Sequence, residues 1–392
     1  MVGLKQTMMP HKPGLFSLFA DSRFWRGSFP WVIAVLVLAN LAIFQWEKTL
    51  EAKRLESQLL NKLQFSDKPL FDLSGGDNPK QYWPTIPDAA ATPLIYLAGM
   101  SQLHAINEIK PGDKIISELL DEKLSPKGVR VYGLSAPNMS GEEALFLLIA
   151  TLSDPKTSPS AFIYAVCFDT FRFVDLRPGY RELMQVKPGI EAAWRATANE
   201  YLEKYPFAAE KMLNSLSEIN KKKDVTSESR LRYLTAKWLP LVSARQALNG
   251  EFLMKLYFLR NWLLNIKNTD KRPILQSRYN LNVQFMNIMV ELAQKKHVKI
   301  IFYAVPLNPL ADNPYVAEQY ATFKKWLEEL CGERRVPFAN FENEVPHEHW
   351  GKFLEGPDFK HFKEEGHILT ANAILRQFES TILNLNTTRL RD

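Results

Sequence analysis

The sequence predicts an α/β protein on a doubly wound, mostly parallel sheet, with a helical insertion and an N-terminal transmembrane helix. Three observations predict it. Short apolar runs, each bounded by Gly or Pro, recur along the chain as buried parallel strands do. Stretches with helical periodicity separate them. Near the N-terminus lies an uncharged segment long enough to cross a bilayer.

That segment is Phe29–Trp46, FPWVIAVLVLANLAIFQW. Its length as a helix is roughly 27 Å, close to the hydrocarbon thickness. Trp31 and Trp46 stand near its ends, where amphipathic rings favour the interface. A cleaved signal peptide is the rival reading, but no small-residue cleavage site follows; Glu47 and Lys48 instead open a charged helical pattern. Lys5, Lys12, Arg23 and Arg26 precede the span with only Asp21 opposing them. The positive-inside rule therefore leaves residues 1–28 in the cytoplasm and the bulk of the chain outside, in the periplasm if the cell is bacterial. Residues 47–92 read as a helical stalk, with Leu50, Leu55, Leu59, Leu60 and Leu63 on or near one face, running into a Pro-, Gly- and Asp-rich linker.

The expected α/β domain occupies residues 93–385. Its strands are PLIYLA (Pro93–Ala98), GVRVYG (Gly128–Gly133), AFIYAVCF (Ala161–Phe168) and VKIIFYAV (Val298–Val305). Its helices are expected over Gly141–Leu152, Leu281–Lys296, Tyr315–Cys331 and Glu364–Leu383. Residues 180–270 break this rhythm and read as a helical insertion punctuated by Pro188, Pro206 and Pro240. It is either a cap over the site or a structural addition. In such sheets ligands bind at the carboxyl ends of the strands.

Composition bounds the function. Hydrophobic residues make up 46% of the 392, which argues against disorder. The net charge of +6 is small and no basic stripe accompanies it, so no nucleic-acid partner is expected. Cys167 and Cys331 lack metal-ligand spacing, and Cys167 sits in an apolar run as a buried thiol would. His347, Glu348 and His349 look metal-like in isolation but lack a further ligand cluster. No phosphate-binding or dinucleotide loop is present, so neither metal nor cofactor is expected.

Two segments carry chemistry. LAGMSQLHAINE, Leu97–Glu108, puts Ser101 just past a strand and a glycine, either as a nucleophile at the sheet edge or as an ordinary helix cap. His104 follows one turn on, as a pocket-lining or a partly buried helix residue. GPDFKHFKEEGHILTANAIL, Gly356–Leu375, places Asp358 three residues before His361 in a turn leading to a helix. A carboxylate so placed can orient an imidazole and stabilise the imidazolium.

Together these segments resemble the SGNH/GDSL hydrolase superfamily, over roughly residues 93–180 and 275–383. Gly99-Met100-Ser101 is similar to the family's nucleophile block, and Asp358, His361 and Gly366 to its last block. The segment VRVYGLSAPNMSGEEA is similar to its second block, and YAVPLNP to its late strand. The resemblance implies an SGNH-hydrolase-like, flavodoxin-like fold. It implies a Ser101, His361, Asp358 triad, with Gly133 as oxyanion donor and Asn138 nearby. The chain departs from the family in its third block, where an Asn is usual and CFDTFRF, with Asp169, Thr170 and Arg172, stands instead. The anchor and this departure are similar to DltD-like and alginate-acetylation-type proteins. That likeness implies an esterase or O-acyltransferase beside a membrane-bound O-acyltransferase, acting on cell-envelope polysaccharide or another acylated polymer. Arg172, Arg177 and Arg181 are candidates for holding an anionic polymer or acyl donor, a solvated basic loop being the alternative for the last two. The contrasting expectation is a non-catalytic SGNH-fold module that binds polymer or assists the acyltransferase.

Overall fold

A computed structural model describes residues 92–103, 112–221, 270–353 and 356–384, together with Leu38, 70–72, Trp83, Ile86, Asp88, Ala89 and Lys110. The chain divides into two units, residues 1–62 with 225–265 and residues 63–224 with 266–392. Of the first, only Leu38 is described; it is helical and exposed. The expected span at Phe29–Trp46 otherwise lies outside the described residues, as do the stalk at 47–65 and the second half of the insertion. Among the described residues no helix is long and apolar enough to cross a membrane.

The second unit runs β1 (Leu70–Asp72), β2 (Leu94–Gly99), α1 (Ile116–Leu124), β3 (Arg130–Ser135), α2 (Gly141–Leu152), β4 (Ala161–Val166), α3 (Pro178–Val186), α4 (Pro188–Glu200) and α5 (Pro206–Lys221). It continues with α6 (Gln276–Lys295), β5 (Lys299–Ala304), α7 (Ala317–Arg334), β6 (Phe338–Asn340), β7 (Trp350–Phe353), β8 (Gly356–Phe362) and α8 (Glu364–Leu383). The main sheet is six-stranded in the order β1-β3-β2-β4-β5-β6, with every pairing parallel. β7 and β8 form a separate antiparallel ribbon.

Why these residues make these strands is plain from burial. Every residue of β2 and β4 is buried, so an unbroken apolar run suits them better than alternation. The β2→β3 and β3→β4 crossovers travel in opposite directions along the sheet. Right-handedness therefore puts α1 and α2 on opposite faces. The packing agrees: α1 lies against α8, and α2 against α6 and α4. Ser140 starts α2 through a capping box, its hydroxyl accepting from the Glu143 amide at 3.2 Å while the Glu143 carboxylate accepts from the Ser140 amide at 3.1 Å. Pro178, Pro188 and Pro206 each occupy the first position of a helix, where a missing N–H costs nothing.

Three expectations are corrected. The linker expected before residue 93 carries β1, which extends the sheet beyond β3. The strand expected to end at Gly133 continues to Ser135, in register with Gly99. Asp358 and His361 lie in a strand of the β7–β8 ribbon rather than in a bare turn.

Candidate active site

Relative to its five core strands, the order β3-β2-β4-β5-β6 reverses direction at β2. The crevice of a doubly wound sheet opens at that point, beyond the carboxyl ends of the strands. Ser101 stands there as the first residue of a short 3-10 turn, and it is buried. Gly99 lets the chain leave β2 tightly, since a Cβ there would lie 2.7 Å from Ala165 Cβ on β4 and 3.1 Å from Leu103. The turn is pinned from both sides. Ser135 Oγ donates to the Met100 carbonyl at 3.0 Å, and Gln102 Nε2 donates to the Pro306 carbonyl, beyond β5, at 2.7 Å.

β8 delivers the other two groups. His361 Nε2 is 2.8 Å from Ser101 Oγ, and His361 Nδ1 is 2.8 Å from Asp358 Oδ2. An ionised carboxylate only accepts, so Nδ1 carries the proton and Nε2 accepts from the serine hydroxyl. Asp358 Oδ1 also accepts from the amides of Lys360 (3.0 Å) and His361 (3.2 Å). The Asp358 side chain is 3% exposed and that of His361 13%, so the relay is shielded yet open at the imidazole. Asn308, beyond β5, anchors the ribbon. Its Nδ2 donates to the Asp358 carbonyl at 2.9 Å and its amide donates to the Phe359 carbonyl at 3.0 Å. Gly366 allows α8 to start against the ribbon, for a Cβ there would sit 2.4 Å from Phe362 Cβ.

The expected oxyanion residues separate. Gly133 is not in a loop. It lies inside both flanking ladders, opposite Leu70 and Leu97, two residues and thus about 6–7 Å below the strand's end. That correction removes it from the edge where Ser101 stands. Asn138 does lie in the loop after β3, at φ +50°, a left-handed conformation that asparagine tolerates. Asp169 lies beyond β4, in the 3-10 turn Phe168–Arg172. Lys360 Nζ joins the two, at 3.0 Å from Asn138 Oδ1 and 3.1 Å from Asp169 Oδ2. Arg172 is drawn into the fold rather than into the crevice. Its Nε is 3.0 Å from Asp169 Oδ1, and its Nη2 donates to the carbonyls of Arg272 (2.7 Å) and Pro314 (3.3 Å). Arg177 is partly exposed, but its guanidinium is engaged within the fold, its Nε pairing with the buried Glu143 at 2.9 Å. Arg181 is a partly buried residue of α3.

The remaining candidates fall away from the crevice chemistry. His347 Nδ1 meets Asn308 Oδ1 at 3.0 Å. Among the described residues no group of His, Cys, Asp and Glu is placed to hold a metal ion. His104 lies outside the described residues. Cys167 and Cys331 are both free and buried, and burial pushes their thiols up to about 11 and about 12. Neither is a thiolate at neutral pH. Sequence reasoning missed Lys360, Asn308, Gln102 and Ser135. Only Lys360 carried a signal, as a cation between the Asp and the His of one motif.

Neither a family model nor a curated protein matches the chain. Among solved structures, a candidate acylhydrolase from Bacteroides fragilis is similar at 12% identity and a TM-score of 0.36, covering 78% of this chain and 99% of its own. A GDSL-like lipase from Bacteroides thetaiotaomicron is similar at 12% identity and a TM-score of 0.35, covering 78% and 98%. Likeness so slight adds nothing to what the hydrogen-bonded relay of Ser101, His361 and Asp358 says by itself.

Proposed function

We propose that this chain is a membrane-anchored serine acyl-ester enzyme using Ser101, His361 and Asp358. The observation that carries the reading is the continuous relay from Ser101 Oγ through the imidazole to a buried carboxylate, at the reversal point of the sheet. His361 Nε2 takes the hydroxyl proton as Oγ bonds to the acyl carbon, and the carbonyl electron pair moves to oxygen. Collapse breaks the bond to the leaving alkoxide or thiolate, which receives the proton from the imidazolium. An incoming hydroxyl then gives its proton to His361 and takes the acyl group, regenerating Ser101. Asp358 fixes the tautomer and stabilises the imidazolium.

We favour transfer to a cell-envelope glycan over release to water. The apolar Phe29–Trp46 segment and its basic flank support a single span that keeps this domain outside the cytoplasm, close to nascent polymer and to a membrane-bound O-acyltransferase. A non-catalytic accessory role is favoured by one feature, the carboxylate of Asp169 where the related family has an amide. Full-length chain in detergent, treated with a fluorescent fluorophosphonate beside Ser101→Ala and His361→Ala, separates the readings. Labelling of the unaltered chain that vanishes in Ser101→Ala, and falls steeply in His361→Ala, is the expected result. No labelling of folded protein would leave the accessory role standing.

A further inference from the structure

We infer that Lys360 supplies the charge that holds the oxyanion, in place of the amide donor that a serine esterase of this kind uses. The inference rests on the serine-enzyme reading above and names the group that reading leaves unassigned.

The sheet order places Lys360. Strands β3 and β4 are the two neighbours of β2. Asn138 follows β3 and Asp169 follows β4, while Ser101 leaves β2 between them. Strand spacing sets the two outer ends roughly 10 Å apart. Yet the single Nζ of Lys360 lies within 3.0 Å of Asn138 Oδ1 and 3.1 Å of Asp169 Oδ2. An atom that bridges side chains from the loops after both neighbours of β2 sits over the crevice into which the loop carrying Ser101 also opens. Lys360 is also the residue before His361, whose ring holds the Ser101 hydroxyl.

The charges fit the task. A bare carboxylate at position 169 would repel the negative oxygen of a tetrahedral intermediate. The ammonium placed against it reverses that effect. Arg172 fixes the far oxygen of the same carboxylate, so the ion pair keeps its geometry. An ammonium has three donors, and Asn138 and Asp169 take two. Among the described residues nothing takes the third, which leaves it for a substrate oxygen, and the Phe359 ring lies 5.5 Å from the charge on one side. The Lys360 side chain is only 14% exposed, so water screens it little. The contact also orients Asn138: its Oδ1 faces the lysine, leaving Nδ2 as a second donor. A preorganised donor in such a place contributes about 10²–10³ in rate.

The test uses full-length chain in detergent and the second-order rate of fluorophosphonate labelling. Lys360→Met is expected to slow labelling at least tenfold when assayed well below its own, lowered thermal midpoint, with Lys360→Arg regaining part of the rate. Labelling of Lys360→Met at the rate of the unaltered chain overturns the inference while leaving the serine reading intact. An unaltered chain that does not label overturns the reading itself. If Lys360→Met unfolds, Lys360→Gln decides, because its amide can still donate to Asn138 and Asp169 without the charge. Slowed labelling then supports the inference and unchanged labelling overturns it.

Discussion

At Asp358 one carboxylate meets three donors: the His361 ring and the amides of Lys360 and His361. With so little exposure, each bond to the charged group is worth about 1.5–3 kcal/mol. The orientation of the imidazole is therefore set before substrate arrives. Asn308 holds the backbone beneath. Replacing it by Ala strips the Asp358 carbonyl, the Leu310 amide and His347 of their partner. Asn308→Ala should cost about 1–3 kcal/mol of stability. It should also lower ester turnover roughly tenfold with little change in KM, since a shift of an ångström at a reacting group costs that much or more. Unaltered melting and turnover would sink the role. These residues differ in legibility. Gly99-Met100-Ser101 and Asp358 with His361 are local spacings, so the sequence displays them. Asn308 acts 50 residues away, so no spacing reveals it; Lys360 is marked only by its place between Asp358 and His361, and its partners 191 and 222 residues away are not legible.

Among the elements, α2 departs furthest from an amphipathic helix. Its residues from Gly141 to Thr151 are all buried, because the sheet, α4 and α6 leave it no solvent face. Two glutamates are carried in. Glu143 answers to Arg177 and to the capping box. Among the described residues Glu142 Oε1 accepts only from Ser215 on α5, at 2.9 Å, and Oε2 has no hydrogen-bond partner. Burial pushes its carboxyl up to about 7, with Ser215 and Lys211 pulling down and Asp175 and Glu143 pushing up. The folded value exceeds the unfolded one, so the folded state holds the proton more tightly. That stabilisation is complete below pH 4.5 and is lost as pH rises to about 7. The loss is on the order of 3 kcal/mol. Glu142→Gln keeps the Ser215 contact and cannot ionise. Its stability relative to the unaltered chain should rise between pH 5 and pH 8, as read by denaturant unfolding; parallel curves would refute it. Legibility here follows burial. Strands β2 to β5 are continuous apolar runs and stand out. β1 and β6 have three residues each, and β8, GPDFKHF, spends its positions on polar groups for the site.

For the whole molecule, the strand order explains why residues so far apart in sequence meet. The β2→β3 and β3→β4 crossovers run in opposite directions on opposite faces of the sheet, which opens a crevice beyond the carboxyl end of β2, and the loops after β3, β4 and β5 converge there with the ribbon. The sequence shows the four apolar strands β2 to β5 but not their order, since equally apolar strands carry no mark of their neighbours. What remains to be tested at this scale is where the domain sits. The segment Phe29–Trp46 and its basic flank imply that the full chain stays in the membrane pellet after an alkaline carbonate wash. Leu36→Arg with Leu38→Arg places two charges near the middle of the span, at about 2.5–3.5 kcal/mol each, and should release the protein. Protease added to spheroplasts, whose inner membrane is sealed, should digest residues beyond Trp46 in the unaltered chain while sparing residues 1–28. Carbonate extraction of the unaltered chain would defeat the anchor, and with it the argument that transfer to a nearby polymer outruns release to water.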